Sequence, residues 1–113
     1  MTAPHDLLLA RCTPGAPRLE GSALDAELAR QPAWAPDPER RLIARRFGFD
    51  NFYQVMAFVN AVAEIAHAQD HHPDLLVSYA ACTVSFSTHS CSGLSLNDFI
   101  CAAQVSALPE AQA

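Results

Sequence analysis

The sequence predicts an α+β fold: a four-stranded antiparallel sheet with three helices packed on one face, in the order α-β-β-α-β-β-α. Three observations predict it. A 3.6-residue apolar stripe runs through residues 51–69, the signature of a long amphipathic helix. Alternating runs at 40–49 and 75–88 carry the period of two that marks half-buried strands. An apolar run after Ser95 and before Pro109 has the punctuation of a closing helix. Amphipathic helices and strands apolar on one side need each other to bury those faces.

Each element has its own justification. Residues 1–18 hold Pro4, Pro14, Gly15 and Pro17 and predict a loop or loosely docked arm. Ser22, with Asp25 three residues on, predicts a cap for a two-turn helix. Leu24 and Leu28 lie on its inner side, and Pro32 ends it. Trp34 stands among prolines and suits a brief edge strand leading into a turn. From Arg40 to Phe49, Ile43, Arg45, Phe47 and Phe49 alternate with Leu42, Ala44 and Arg46, which predicts a strand.

Asp50 is a good N-cap for the long helix. Its stripe is Phe52, Val55, Met56, Val59, Val62, Ala63 and Ala66, widened by Phe58 and Ile65. Pro73 disfavours helical geometry at His72, so the helix stops near 70–72. Leu75, Val77 and Tyr79 then alternate with Leu76, Ser78 and Ala80. After a turn at Ala80-Ala81, Cys82, Val84 and Phe86 alternate with Thr83, Ser85 and Ser87. The hydroxyl-bearing face of that sheet suits solvent, a ligand floor or an oligomer contact. Ser90 to Gly93 is a polar turn. Ser95 with Asp98 resembles a capping box, and Leu96, Phe99, Ile100 and Ala103 form the inner face of the last helix. One domain therefore covers 19–108, and the tail 109–113 is expected to fray.

Composition narrows the function. The chain of 113 residues is 50% hydrophobic and 17% charged, enough for one packed core. A net charge of -5 argues against a nucleic-acid surface. The cluster Arg40, Arg41, Arg45 and Arg46 reads as a solvated face. No apolar run reaches the roughly 20 residues of a membrane span. The start lacks the charged and apolar regions of a signal peptide, so a cytoplasmic protein is expected. Cys12, Cys82, Cys91 and Cys101 form no CxxC pair and read as free thiols in a reducing compartment.

The chemistry concentrates in the histidines. His5 reads as structural or solvent-exposed. His71 and His72 sit between Asp70 and Pro73 at a helix end, and His89 follows Thr88 at a strand end. Imidazoles titrate near neutrality, so a cluster of three suits acid–base catalysis. Two other readings fit the same residues. His67 and His71, four apart on a helix, could ligate zinc with His89 or Cys91. Alternatively, His71 and His72 merely end a helix.

Asp70-His71-His72-Pro73-Asp74, Tyr79, Ser87-Thr88-His89, Gly93-Leu94-Ser95 and Asp98 resemble the pterin-4a-carbinolamine dehydratase family. Cys12, Gly15, Pro17, Leu19, Trp34, Phe47-Gly48-Phe49 and Phe52 agree with that family's bacterial layout, so the resemblance spans about residues 8 to 106. It implies an enzyme, a hydro-lyase that eliminates water from 4a-hydroxytetrahydropterin to give the quinonoid dihydropterin, which a reductase recycles. It implies His71, His72 and His89 as the catalytic set. It implies Asp70, Ser87, Thr88 and Ser90 as pterin-pocket residues, with His71, His72 and His89 also touching the substrate. Asp98, His67 and Pro73 would support the site.

The resemblance also implies that neither metal nor redox cofactor is required. It implies a homodimer or homotetramer and a functional link to aromatic amino-acid hydroxylases. It carries a second reading, a non-catalytic binding, assembly or dimerisation role on the same fold. Two departures are visible. His67 stands where many relatives carry glutamate, and Leu75 stands where an aromatic residue often follows His-Pro. Both bear on pterin affinity more than on the acid–base set.

Overall fold

The computed structural model describes residues 4–112, and the side chain of His5 lies outside the described residues. Helix α1 spans Gly21–Arg30, and the two-residue strand β1 is Ala35–Pro36. Strand β2 is Ile43–Gly48 and the long helix α2 is Phe52–Gln69. Strands β3 and β4 are Asp74–Ser78 and Ala81–Phe86, and helix α3 is Leu96–Ser106. The strands form one antiparallel sheet in the order β1-β2-β4-β3. The α+β class, the element order and the four-stranded sheet are those expected. No helix among the described residues is long and apolar enough to cross a membrane.

The register decides what faces the helices. Ile43, Arg45 and Phe47 of β2 lie opposite Phe86, Val84 and Cys82 of β4. All of these except Arg45 are at most 4% exposed. Val55, Phe58 and Val62 of α2 meet them with no exposure at all, and Phe58 stacks at 4.5 Å from Phe47. Trp34 is 2% exposed, lies edge-on to Phe47, and donates its indole N–H to Ser106 Oγ at 2.9 Å. Apolar burial of this kind contributes about 25 cal/mol per Å² and is the main force holding the helices to the sheet. Thr83, Ser85 and Ser87 point to the other, helix-free side and are half-buried.

Several local expectations need correction. Helix α1 begins at Gly21 with Glu20 as its flanking residue and no side-chain cap, so Ser22 lies inside the first turn. The cap of α2 is Asn51, whose side chain accepts from the Gln54 N–H at 2.9 Å, one residue beyond the expected Asp50. Phe52 and Ala63 of the expected stripe are exposed, because the helix packs through Val55, Phe58, Val62 and Ala66. The hairpin turns at Tyr79-Ala80, and Ala81 already belongs to β4. Strand β3 is an edge strand, so its alternation does not bury a face: Leu76 is 72% exposed and Tyr79 69%. In α3, Leu96 is exposed, while Asn97, Asp98, Cys101, Ala102 and Val105 join the core.

The arginine cluster is not one solvated face. Arg40 pairs with Asp25 and Arg41 with Glu39, but Arg45 turns under the sheet. Its guanidinium lies 4.5 Å from the Phe47 ring centre and donates to Ser106 Oγ. In place of a loose arm, Pro4–Leu9 forms a 3-10 helix whose Leu7 is 6% exposed in the core. In place of a frayed tail, Pro109–Gln112 forms another 3-10 turn, with the Gln112 amide donating to the Ser106 carbonyl at 2.8 Å.

Candidate active site

Helix α2 ends in a backbone turn that aims the histidines. Asp70 adopts the left-handed conformation, φ 50° and ψ 43°. Its N–H reaches the His67 carbonyl, and the His71 N–H reaches the Ala66 carbonyl at 3.1 Å. That pair of bonds is the Schellman termination, which satisfies the last helical carbonyls and turns the chain sharply. Aspartate is among the few residues besides glycine that enter this region readily. Pro73 then keeps His72 extended. His71 is thereby turned inward and His72 outward into the open.

The inward imidazole is held from two sides. The His71 ring stacks on Phe86, with planes 10° apart and centres 6.1 Å apart. Its Nε2 lies 2.6 Å from Asp98 Oδ1. Asp98 is 0% exposed, and its other oxygen accepts from the Thr88 hydroxyl at 2.7 Å and from the Ser95 N–H at 2.9 Å. Ser95 Oγ lies 2.7 Å from Thr88 Oγ1 and accepts from the Asn97 N–H. The expected capping box is therefore present, and the same carboxyl that caps α3 also grips His71. The hydrogen bond to Asp98 raises the His71 pKa above its ordinary 6.5, and that carboxyl's charge adds to the effect; burial opposes both.

Strand β4 delivers the third imidazole. Thr88 exchanges backbone hydrogen bonds with Gly93, which closes a small loop around the 3-10 turn His89–Cys91. A Cβ on Gly93 would come within 2.7 Å of Arg18 Cδ, so any larger residue there would have to displace the Arg18 side chain. The loop leaves His89 and Ser90 exposed beside the α2 terminus.

These pieces enclose one cavity of about 550 Å³. Its walls are residues 69–72 from the end of α2, residues 87–90 from the end of β4, residues 12–15 from the arm, and Asn97 from α3. The sequence-derived Asp70, His71, His72, Ser87, Thr88, His89 and Ser90 are thus brought together, with Asp98 directly behind His71. His67 and Pro73 do not line the cavity. His67 is exposed on α2, so the zinc constellation of His67 and His71 with His89 or Cys91 does not assemble. Among the described residues no group of three or more His, Cys, Asp or Glu could hold a metal ion.

Sequence reasoning missed the part of the site built by side-chain amides. Asn97 accepts from the Thr13 N–H at 3.0 Å and donates to the Thr13 carbonyl at 2.9 Å. Gln69 accepts from the Cys12 N–H at 2.8 Å, and Gln104 donates to the Leu7 and Ala10 carbonyls. Three amides thereby fasten the arm, whose residues 12–15 line the cavity, to α2 and α3. A ring of imidazoles and hydroxyls on a backbone-lined cleft can bind a flat polar heterocycle and move protons at its edge.

Comparison with known proteins agrees. The family model described as pterin 4 alpha carbinolamine dehydratase matches residues 17–108. A Stenotrophomonas maltophilia protein provisionally named pterin-4-alpha-carbinolamine dehydratase is 52% identical over 107 residues, 92% of each chain. A Nitrosomonas eutropha protein with the same provisional name is 46% identical over 112 residues, 96% of this chain and 97% of that one. The crystal structure of a transcriptional coactivator/pterin dehydratase from Brucella melitensis has a TM-score of 0.75 at 30% identity, covering 80% of this chain and 96% of that one. A pterin dehydratase-like protein identified as a RuBisCO assembly factor in the alpha-carboxysome shares the fold, with a TM-score of 0.58 at 20% identity over 66% of this chain and 87% of that one.

Proposed function

The chain belongs to the pterin-4-alpha-carbinolamine dehydratase family, and we propose that it eliminates water from 4a-hydroxytetrahydropterin to give the quinonoid dihydropterin. The observation that supports this most directly is the convergence of His71, His72 and His89 on one cavity, with His71 backed by a buried carboxyl.

The elimination breaks the carbon–oxygen bond at the 4a position. The leaving hydroxyl needs a proton, and a ring nitrogen must lose one. His71 suits the first task, because Asp98 favours its protonated form and occupies Nε2. Its Nδ1 is left to exchange a proton with the substrate. His72 and His89 are both exposed at the cavity, and on this reading they accept the ring proton and orient the heterocycle. Asp70, Ser87, Thr88 and Ser90 offer polar edges for the pterin amide. Proton transfer of this kind is worth roughly 10²–10⁴ in rate. No step calls on a metal or a redox cofactor.

The same reading includes turnover in support of an aromatic amino-acid hydroxylase, a cytoplasmic setting, and assembly as a homodimer or homotetramer. The test is stopped-flow absorbance of freshly generated 4a-hydroxytetrahydropterin. Wild-type protein should accelerate dehydration. His71→Ala and His72→Ala should each slow it by about 10²–10⁴ with the fold retained. Folded wild-type protein without any acceleration would overturn the enzymatic reading and leave the binding or assembly role.

A further inference from the structure

Two of the four cysteines meet at the cavity. Cys12 is on the arm and Cys101 on α3, 89 residues apart in sequence, yet their sulfurs lie 3.6 Å from each other. A disulfide bond is about 2.05 Å long, so the pair is one small side-chain movement from bonding. The two thiols differ in access. Cys12 is half-buried and faces the cavity, whereas Cys101 is 0% exposed behind it. The backbone of Cys12 is pinned by Gln69, and its sulfur also lies 3.6 Å from the Asn97 carbonyl. Cys82 is buried within the sheet, and the Cys91 thiol points to the Thr88 carbonyl, so neither shares this contact.

We propose that Cys12 and Cys101 are a hydroperoxide-oxidised thiol pair, in which Cys12 is oxidised from the cavity side and Cys101 resolves it to a disulfide. The Cys12 thiolate attacks one oxygen of a hydroperoxide. The O–O bond breaks as the S–O bond forms, two electrons pass from sulfur to the peroxide, and the departing alkoxide or hydroxide takes up a proton. Cys12 is then a sulfenic acid. The Cys101 sulfur gives up its proton and attacks the Cys12 sulfur; the S–S bond forms, the S–O bond breaks, and water leaves. Two thiols and one hydroperoxide become one disulfide, one alcohol or water, and one further water.

The surroundings favour that division of labour. The Cys101 hydrogen bond lowers the Cys12 pKa, helped by the nearby charges of His71 and Arg11, while burial and Asp98 oppose the shift. The same contact and burial push the Cys101 thiol up, which suits a group that waits for the sulfenic acid. The product would fasten residues 12–15, one wall of the site, to α3 by a covalent bond.

The experiment counts thiols and does not depend on turnover, so its result is separable from that of the dehydratase reading. Full-length reduced protein is treated with hydrogen peroxide, denatured and alkylated. Wild type should fall from four alkylated cysteines to two and lose two hydrogens in intact mass, reversibly with dithiothreitol. Cys91→Ser should still form the bond, and Cys12→Ser should not. Cys101→Ser should stop at a Cys12 sulfenic acid that dimedone traps. Should removal of buried Cys101 prevent folding, Cys12→Ser alone decides the matter. Four thiols surviving in wild type, or a disulfide that persists in Cys12→Ser, would overturn the proposal.

Discussion

At the residue scale, the site turns on Asp98. Its carboxyl is fully buried and accepts from the Thr88 hydroxyl and the Ser95 N–H while its other oxygen holds His71. Because the folded pKa of His71 is raised, the pair's contribution to stability is fully present below the unfolded value of about 6.5 and is lost as pH rises through the higher folded value. In Asp98→Asn the charge disappears and burial is opposed only by the smaller effects of Cys12 and Asp70, so the His71 titration midpoint should fall. Proton NMR of the ring Cε1–H measures this directly, and an unmoved midpoint would mean that Asp98 is not the cause. The three catalytic candidates were legible because their neighbours are informative: a proline after one pair, and a strand end before His89. Asp98 was legible as a helix cap and, through the family resemblance, as a supporting residue, but not as the partner of His71. Its bond to His71 joins residues 27 apart, and no local pattern encodes a contact of that kind.

At the element scale, α3 does more than close the fold. Its cap joins the Thr88 loop to the His71 pair, so Ser95→Ala removes a cap and leaves the buried Thr88 hydroxyl short of one partner. We expect a loss of about 1–2 kcal/mol in urea unfolding, and a fall in the His71 midpoint smaller than that of Asp98→Asn. A stability change below about 0.5 kcal/mol would show that the cap is redundant. Periodicity located all three helices, yet the cap of α2 differed by one residue and that of α1 by two. Asp50 and Asn51 are both good caps, and Ser22 stands next to a glycine that begins its helix. The amides of Gln69, Asn97 and Gln104 escaped notice for a different reason. A polar residue on a helix reads as solvent-facing, and the pattern does not distinguish water from the backbone of a distant arm.

At the scale of the whole molecule, the sheet has one covered face and one exposed edge. Strand β3 leaves one side unpaired and shows Leu76 and Val77 to solvent, with Tyr79 exposed in the adjoining turn, the kind of edge that proteins usually protect or pair. For the homo-oligomer proposed above, that edge is the contact to test. Wild-type protein should elute from size exclusion with light scattering as a dimer or larger, and Leu76→Lys should shift it toward monomer without unfolding it. A monomeric wild type would remove self-association from the functional reading. The order of elements and the inner face were legible because strands and helices carry different periods. The edge position of β3 was not, since alternation looks alike on a central and an outer strand.

The arm has a consequence for how the protein is made. The hydrogen bonds that hold it to α3 join residues 84 to 97 positions apart, so the arm waits for a helix synthesised much later. Contacts of such separation form late, after the loop between them has been closed. The cavity is consequently finished only once α3 has formed, and a nascent protein lacking α3 carries its histidines but not the site.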